Sequence, residues 1–146
     1  MTPAPTPSIR AGHRDRPWVI IDGDCAFCSS STSWLADRLH RTDRPDVQRV
    51  PYQFLELETF GLSVERTRRE LIWLPAGDGV PPQVPGGADA FAAWLSYAGR
   101  PYAMLGRLIT LPVINSLAWF VYRLVAANRQ RLPGGTPACA MPPAQE

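Results

Sequence analysis

Trp18-Val19-Ile20-Ile21-Asp22-Gly23-Asp24-Cys25-Ala26-Phe27-Cys28 is the stretch that decides the fold. Four consecutive apolar residues, Trp18 to Ile21, predict a short strand buried on both faces. Asp22-Gly23-Asp24 ends it with turn residues. A Cys-x-x-Cys pair then opens a helix, expected from about Cys25 to about Arg41. Its apolar positions Phe27, Cys28, Trp34, Leu35 and Leu39 recur at helical spacing. The hydroxyl run Ser29 to Ser33 is small enough to let that helix lie close to a sheet.

Downstream the pattern alternates. Thr42 to Asp46 reads as a loop, and Val47 to Tyr52 as a second strand weakened by Pro51. Residues 53–69 carry one or two short helices broken near Gly61. Leu71 to Leu74 is a third buried strand. Ala76-Gly77-Asp78-Gly79 is a hairpin turn, and Val80 to Val84 returns as a proline-bearing fourth strand at an edge. A helix over Ala88–Ala98 follows, with Phe91, Trp94 and Leu95 on its inner face. The order β-α-β-α-β-β-α predicts an α/β fold, a small mixed four-stranded sheet with helices on both faces.

Beyond Gly99-Arg100-Pro101 lie two apolar helices, Tyr102 to Thr110 and Val113 to Arg129, split by Pro112. Arg107, Asn115 and Arg123 interrupt their apolar character, so packing on the core is expected rather than membrane spanning. A helical pair resting on a membrane or a partner is the alternative. Residues 1–17 and 132–146 are proline-rich and read as flexible tails around one domain at 18–131.

Composition excludes several chemistries. The 146 residues contain no lysine, so the 15 basic residues are all arginine. Standard Walker-A loops, Schiff-base lysines and pyridoxal phosphate anchors are therefore out. A net charge of +2 gives no argument for nucleic acid. Three cysteines are too few for a disulfide-stapled secreted scaffold. Residues 1–18 show no apolar signal region, so a reducing, cytoplasmic setting is expected. No cofactor is expected.

In that setting Cys25 and Cys28 are candidates for redox work. A cysteine at a helix N-terminus faces unpaired backbone N–H groups and the positive end of the helix dipole, and both favour thiolate. Cys25 is expected to attack and Cys28, one turn on, to resolve the mixed disulfide. Asp24 is a candidate N-cap. Asp22, at the strand end, is a candidate proton acceptor, although turn chemistry explains both carboxylates equally well. Zinc would need further ligands, and His13, His40 and Cys139 are scattered, so no metal is expected. An Asp22 phosphotransferase with Asp24 as acid lacks a lysine to neutralise phosphate. Cys139 reads as an exposed single thiol. Trp18, Trp34, Trp73, Trp94 and Trp119 read mostly as core, and His40 as a partner of helix-end carbonyls.

Asp22-Gly23-Asp24-Cys25-Ala26-Phe27-Cys28 strongly resembles the signature of the DCC family of thiol-disulfide oxidoreductases, a branch of the thioredoxin-like superfamily. The match carries over to Asp22, Cys25 and Cys28. It continues through Asp78-Gly79, Gly87 with Ala88-Asp89-Ala90, and Val121-Tyr122-Arg123 with Asn128-Arg129, over roughly residues 18–132. The resemblance implies a thioredoxin-like fold, dithiol chemistry, and a protein or small-molecule disulfide or thiol as substrate. Thioredoxin-like enzymes usually place a cis-proline before the third strand, where this chain has Arg68-Arg69-Glu70. Arg68 or Arg69 is then expected either to line the site and offset the Asp charges or to be a solvated helix face. Tyr122, Asn128 and Arg129 are expected to anchor the last helix. A non-catalytic redox-sensing module docking through its C-terminal helices is the competing reading.

Overall fold

The computed structural model describes residues 9–128. Strand β1 (Trp18–Ile21) leads through a turn into helix α1 (Ala26–Leu39), then strand β2 (Gln48–Pro51). Two 3-10 turns, Tyr52–Phe54 and Leu57–Phe60, precede helix α2 (Val64–Arg69) and strand β3 (Ile72–Leu74). Helices α3 (Ala88–Ala98), α4 (Tyr102–Ile109) and α5 (Pro112–Asn128) follow. The sheet order is β2-β1-β3. β1 is parallel to β2, with Ile21 opposite Pro51, and antiparallel to β3, with Val19 opposite Trp73. The β1-α1-β2 crossover is what the Trp18–Ile21 run and the following helix predict.

The described sheet has three strands, not the expected four. Pro81 and Pro82 have no N–H to give, which strips Val80–Val84 of ladder donors. A remnant of edge pairing persists just beyond. Trp73 N–H donates to Pro85 O at 3.0 Å, and Gly87 N–H donates to Leu71 O at 2.8 Å.

Side chains of β1 alternate between two cores, as a pleated strand requires. Val19 and Ile21 join Leu39, Leu71, Trp73, Trp94 and Leu95 on the side of α1 and α3. Ile20 joins Val50, Tyr52, Leu55, Phe60, Ile72 and Leu74 on the other. Thr32 is buried and turns its hydroxyl back to Cys28 O at 2.6 Å, so the hydroxyl-rich face of α1 reaches the interior with its polar atoms satisfied. Trp34 departs from expectation: it is exposed, with Arg38 over its ring at 5.6 Å. His40 pairs with Asp46 Oδ1 at 2.6 Å rather than with helix carbonyls.

The segment before β1 is docked, not a loose tail, from Ile9 onward. Ile9 bridges to Leu55 and Arg14 to Gly77. Arg14 is 3% exposed and donates to the carbonyls of Pro75 (3.1 Å), Gly12 (3.2 Å) and Gly79 (2.6 Å). Burial lowers its pKa, and the charge of Asp78 works against that. The expectations for residues 1–8, Arg129 and Cys139 fall outside the described residues.

No described helix alone is long and apolar enough to cross a membrane, and α4 meets α5 at 94°. α5 is tied down by polar contacts. Asp89 accepts from Asn115 Nδ2 (2.7 Å) and Trp119 Nε1 (3.4 Å). The Tyr122 hydroxyl accepts from Leu71 N–H at 2.8 Å. Asn128, also expected as an anchor, donates instead to Leu124 O within α5. Trp119 lies on Gly87, where an added Cβ would stand 2.5 Å from the ring.

Candidate active site

β1 ends at Ile21, and the next seven residues hold all four side chains singled out from the sequence: Asp22, Asp24, Cys25 and Cys28. The turn is local in origin. Asp22 Oδ1 accepts from Asp24 N–H at 3.1 Å, and Asp22 O accepts from Cys25 N–H at 3.1 Å. Gly23 is buried against β2, and a Cβ there would meet Pro51 Cβ at 2.9 Å. Only glycine lets the two strand ends approach so closely.

Cys25, not Asp24, is the N-cap of α1. Its backbone is extended, and its Sγ accepts from Cys28 N–H at 3.2 Å. Cysteine takes the place usually filled by Ser, Thr, Asp or Asn because its sulfur performs the same task, satisfying an orphan N–H. The bond also brings the two cysteines together across one turn. Both are half-buried. A sulfur that accepts a backbone N–H at a helix start is stabilised as thiolate.

The carboxylates sit to one side. Asp22 is 9% exposed and Asp24 is exposed. Gln53, which sequence reasoning missed, joins them. Its Nε2 donates to Asp22 Oδ1 at 3.0 Å and to Asp24 Oδ2 at 3.2 Å, while its Oε1 accepts from Gly23 N–H at 3.1 Å. Next to it, Tyr52 OH accepts from Arg68 Nε at 3.0 Å. That bond is the main cause of Arg68's raised pKa, and the charges of Asp22 and Asp24 add to it. Arg68 is exposed on α2, bonded to Tyr52 and near enough to Asp22 and Asp24 to feel their charge. The signal for Gln53 and Tyr52 is topological. In a parallel pair the residues after one strand end lie beside those after the other, and Ile21 pairs with Pro51.

Beside Cys28 and Asp22 is a cavity of about 510 Å³. Phe27 and Cys28 of α1, Phe91 of α3, and Leu117 and Val121 of α5 line it. Asp22, Arg69 and Glu70 are the charged side chains of its wall. Arg69 is exposed and reaches the rim of that cavity. The cis peptide among the described residues is Arg100–Pro101, at the α3–α4 junction, not before β3. Among the described residues no group of three or more His, Cys, Asp or Glu side chains is arranged to hold a metal ion.

A family model described as DCC1-like thiol-disulfide oxidoreductase matches residues 19–135. Comparison with curated proteins and with solved structures returns no match.

Proposed function

The chain belongs to the DCC1-like thiol-disulfide oxidoreductase family, and from that premise we propose that it exchanges electrons with a disulfide through Cys25 and Cys28. The observation that carries the reading is the Cys28 N–H to Cys25 Sγ bond at the start of α1. It favours charge on Cys25 and keeps Cys28 within one turn of it. The mixed sheet with helices on both faces fits a thioredoxin-like core whose fourth strand has been reduced to the Pro85–Gly87 pairing.

The steps follow from thiol chemistry. The Cys25 thiolate attacks one sulfur of a substrate disulfide. The substrate S–S bond breaks, a Cys25 mixed disulfide forms, and the first substrate thiolate leaves and takes a proton from water. Cys28 then attacks Cys25 Sγ. Its proton passes to the second leaving thiolate, with Asp22 as the nearby carboxylate able to relay it. The substrate gains two electrons and ends as two thiols, while the protein pair ends as a disulfide. Asp22 and Asp24 oppose thiolate formation; Arg68 and the amide of Gln53 offset them. The substrate is a protein or small-molecule disulfide, and a reducing cytoplasm is the setting in which such a pair works as a reductant.

The test combines redox equilibration with two variants. In glutathione and dithiothreitol buffers the Cys25–Cys28 couple is expected between about −270 and −120 mV, the range of redox catalysts. Cys25→Ser abolishes disulfide reduction, and Cys28→Ser accumulates the mixed disulfide seen by intact mass. Full activity in Cys25→Ser, or no reversible couple, would overturn the mechanism. One observation favours the docking-module reading: Val113, Leu117, Phe120 and Leu124 of α5 are exposed. A protein with an inert thiol pair that sediments with vesicles would establish that reading instead.

A further inference from the structure

Resting on the dithiol reading above, we propose that the cavity beside Cys28 is the substrate pocket, and that it selects a small disulfide whose body is uncharged and apolar.

Size comes first. A volume of about 510 Å³ lies within the range of small-molecule sites, roughly 300–1,000 Å³. Position comes second. Cys28 and Asp22 stand in the wall, so a ligand seated there lies against Cys28, whose N–H is bonded to the Cys25 sulfur, rather than at a remote surface.

The decisive point is the distribution of polar atoms. The hydroxyls in the wall are already committed to the protein. Ser31 and Thr32 donate to Cys28 O, and Thr67 donates to Ser63 O and Val64 O. The Tyr122 hydroxyl accepts from Leu71 N–H. The charged side chains of the wall are Asp22, Arg69 and Glu70, of both signs. The rest of the wall is aliphatic or aromatic, mostly from α5, with Ile21, Phe27, Leu71, Phe91 and Ile109 from the segments facing it. A charged ligand body would lose its hydration against that apolar wall. An apolar body loses nothing and removes its own surface from water.

The character of α5 points the same way. Among residues 101–128 there is no acidic side chain, and none of the 17 residues of α5 is buried. A helix this apolar ordinarily has a covering partner. Its cavity-facing side chains Ile114, Leu117, Val121 and Val125 are left open to what the cavity holds. Val113, Phe120 and Leu124 are exposed on α5 and are not among the residues that line the cavity.

Two readouts test this. The first is binding of the uncharged dye N-phenyl-1-naphthylamine, followed by its fluorescence. The second is the ratio of kcat/KM for dibenzyl disulfide over that for glutathione disulfide, which is charged. The wild-type protein should bind one dye and prefer the dibenzyl compound. Val121→Glu places a carboxylate in the pocket at a position exposed enough to fold, and Ala118→Trp fills the pocket. Each should lower dye affinity and the preference ratio by at least about tenfold, equivalent to about 1.4 kcal/mol. Phe120→Glu, outside the cavity wall, should leave both unchanged. Dye binding and preference that survive in Val121→Glu and Ala118→Trp but vanish in Phe120→Glu would overturn the pocket, as would an absence of any preference in the wild type. Failure of the dithiol reading looks different: neither disulfide is reduced although the dye binds and Val121→Glu removes it.

Discussion

Gln53→Ala removes a single amide that holds three groups of the candidate site. Its Oε1 accepts the Gly23 N–H at 3.1 Å, and its Nε2 reaches Asp22 Oδ1 at 3.0 Å and Asp24 Oδ2 at 3.2 Å. The three bonds are unequal. The Gly23 N–H is a neutral donor on a buried residue, and stranding it costs about 1 kcal/mol or more. The bond to Asp22 involves a buried carboxylate and contributes about 1.5 kcal/mol. The bond to exposed Asp24 contributes little, because water replaces it. Since one side chain makes all three, the parts do not add fully, and a loss of about 2 kcal/mol is expected. For a chain of this size that lowers Tm by about 4–8 °C. Urea unfolding followed by tryptophan fluorescence should show a lower midpoint with an unchanged slope. Gln53→Glu sharpens the test by placing a third carboxylate beside Asp22 and Asp24. That new carboxyl holds its proton more tightly in the folded state than in the unfolded state. Its destabilisation is therefore greatest at neutral pH, shrinks as pH falls through the raised folded-state pKa, and is gone below about 4. If Gln53→Ala unfolds within about 0.5 kcal/mol of wild type, the amide is not the organiser of this turn.

Two further predictions concern other parts of the fold. Tyr122→Phe deletes the acceptor of the Leu71 N–H, bonded at 2.8 Å in a buried position. A loss of about 1–3 kcal/mol is expected, with faster hydrogen exchange at the Leu71 amide; unchanged protection there would refute the anchor. Asp43, hydrogen-bonded to Arg41, has its pKa lowered to about 2. Because the folded value lies below the unfolded one, the pair supports the fold above the ordinary carboxylate pKa and is lost as pH falls toward 2. Carboxylate NMR should titrate Asp43 near 2 and return it toward 3.8 in Arg41→Gln; a normal midpoint in the wild type would refute the pairing.

Features encoded within a few residues were readable in the sequence, and features requiring distant residues to meet were not. Trp18–Ile21 announced a strand buried on both faces because β1 does contribute to both cores. The start of α1 was expected within a residue of where it lies, since a turn before a Cys-x-x-Cys is local chemistry. The fourth strand was over-read. Apolar residues flanking an Asp-Gly turn suggested a return strand, but a ladder needs backbone N–H donors, and Pro81 and Pro82 have none. Arg14 was hidden for the opposite reason. A proline-rich segment with charges has the composition of a tail, yet one guanidinium finds the carbonyls of Pro75 and Gly79 more than 60 positions away.

The candidate site divides along the same line. Its two sulfurs belong to the motif, whereas the groups that set the charge around them come from elsewhere in the chain. Gln53 and Arg68 reach Asp22 and Tyr52 only because β2 runs parallel to β1 and delivers residues 52 and 53 beside the turn. That topology was itself predicted from the Trp18–Ile21 run and the helix after it. The residues directly after the second parallel strand were therefore the place to look for partners of Asp22, even with no motif there. The cavity follows a different logic. It exists because α5 is held at a few polar points, Asp89 and the Leu71 N–H, while its long apolar side chains stand away from the core. Fixing an apolar helix at a few points, by these hydrogen bonds and by Trp119 and Tyr122 packing on Gly87 and Phe91, leaves space beside it, and that space opens onto Cys28.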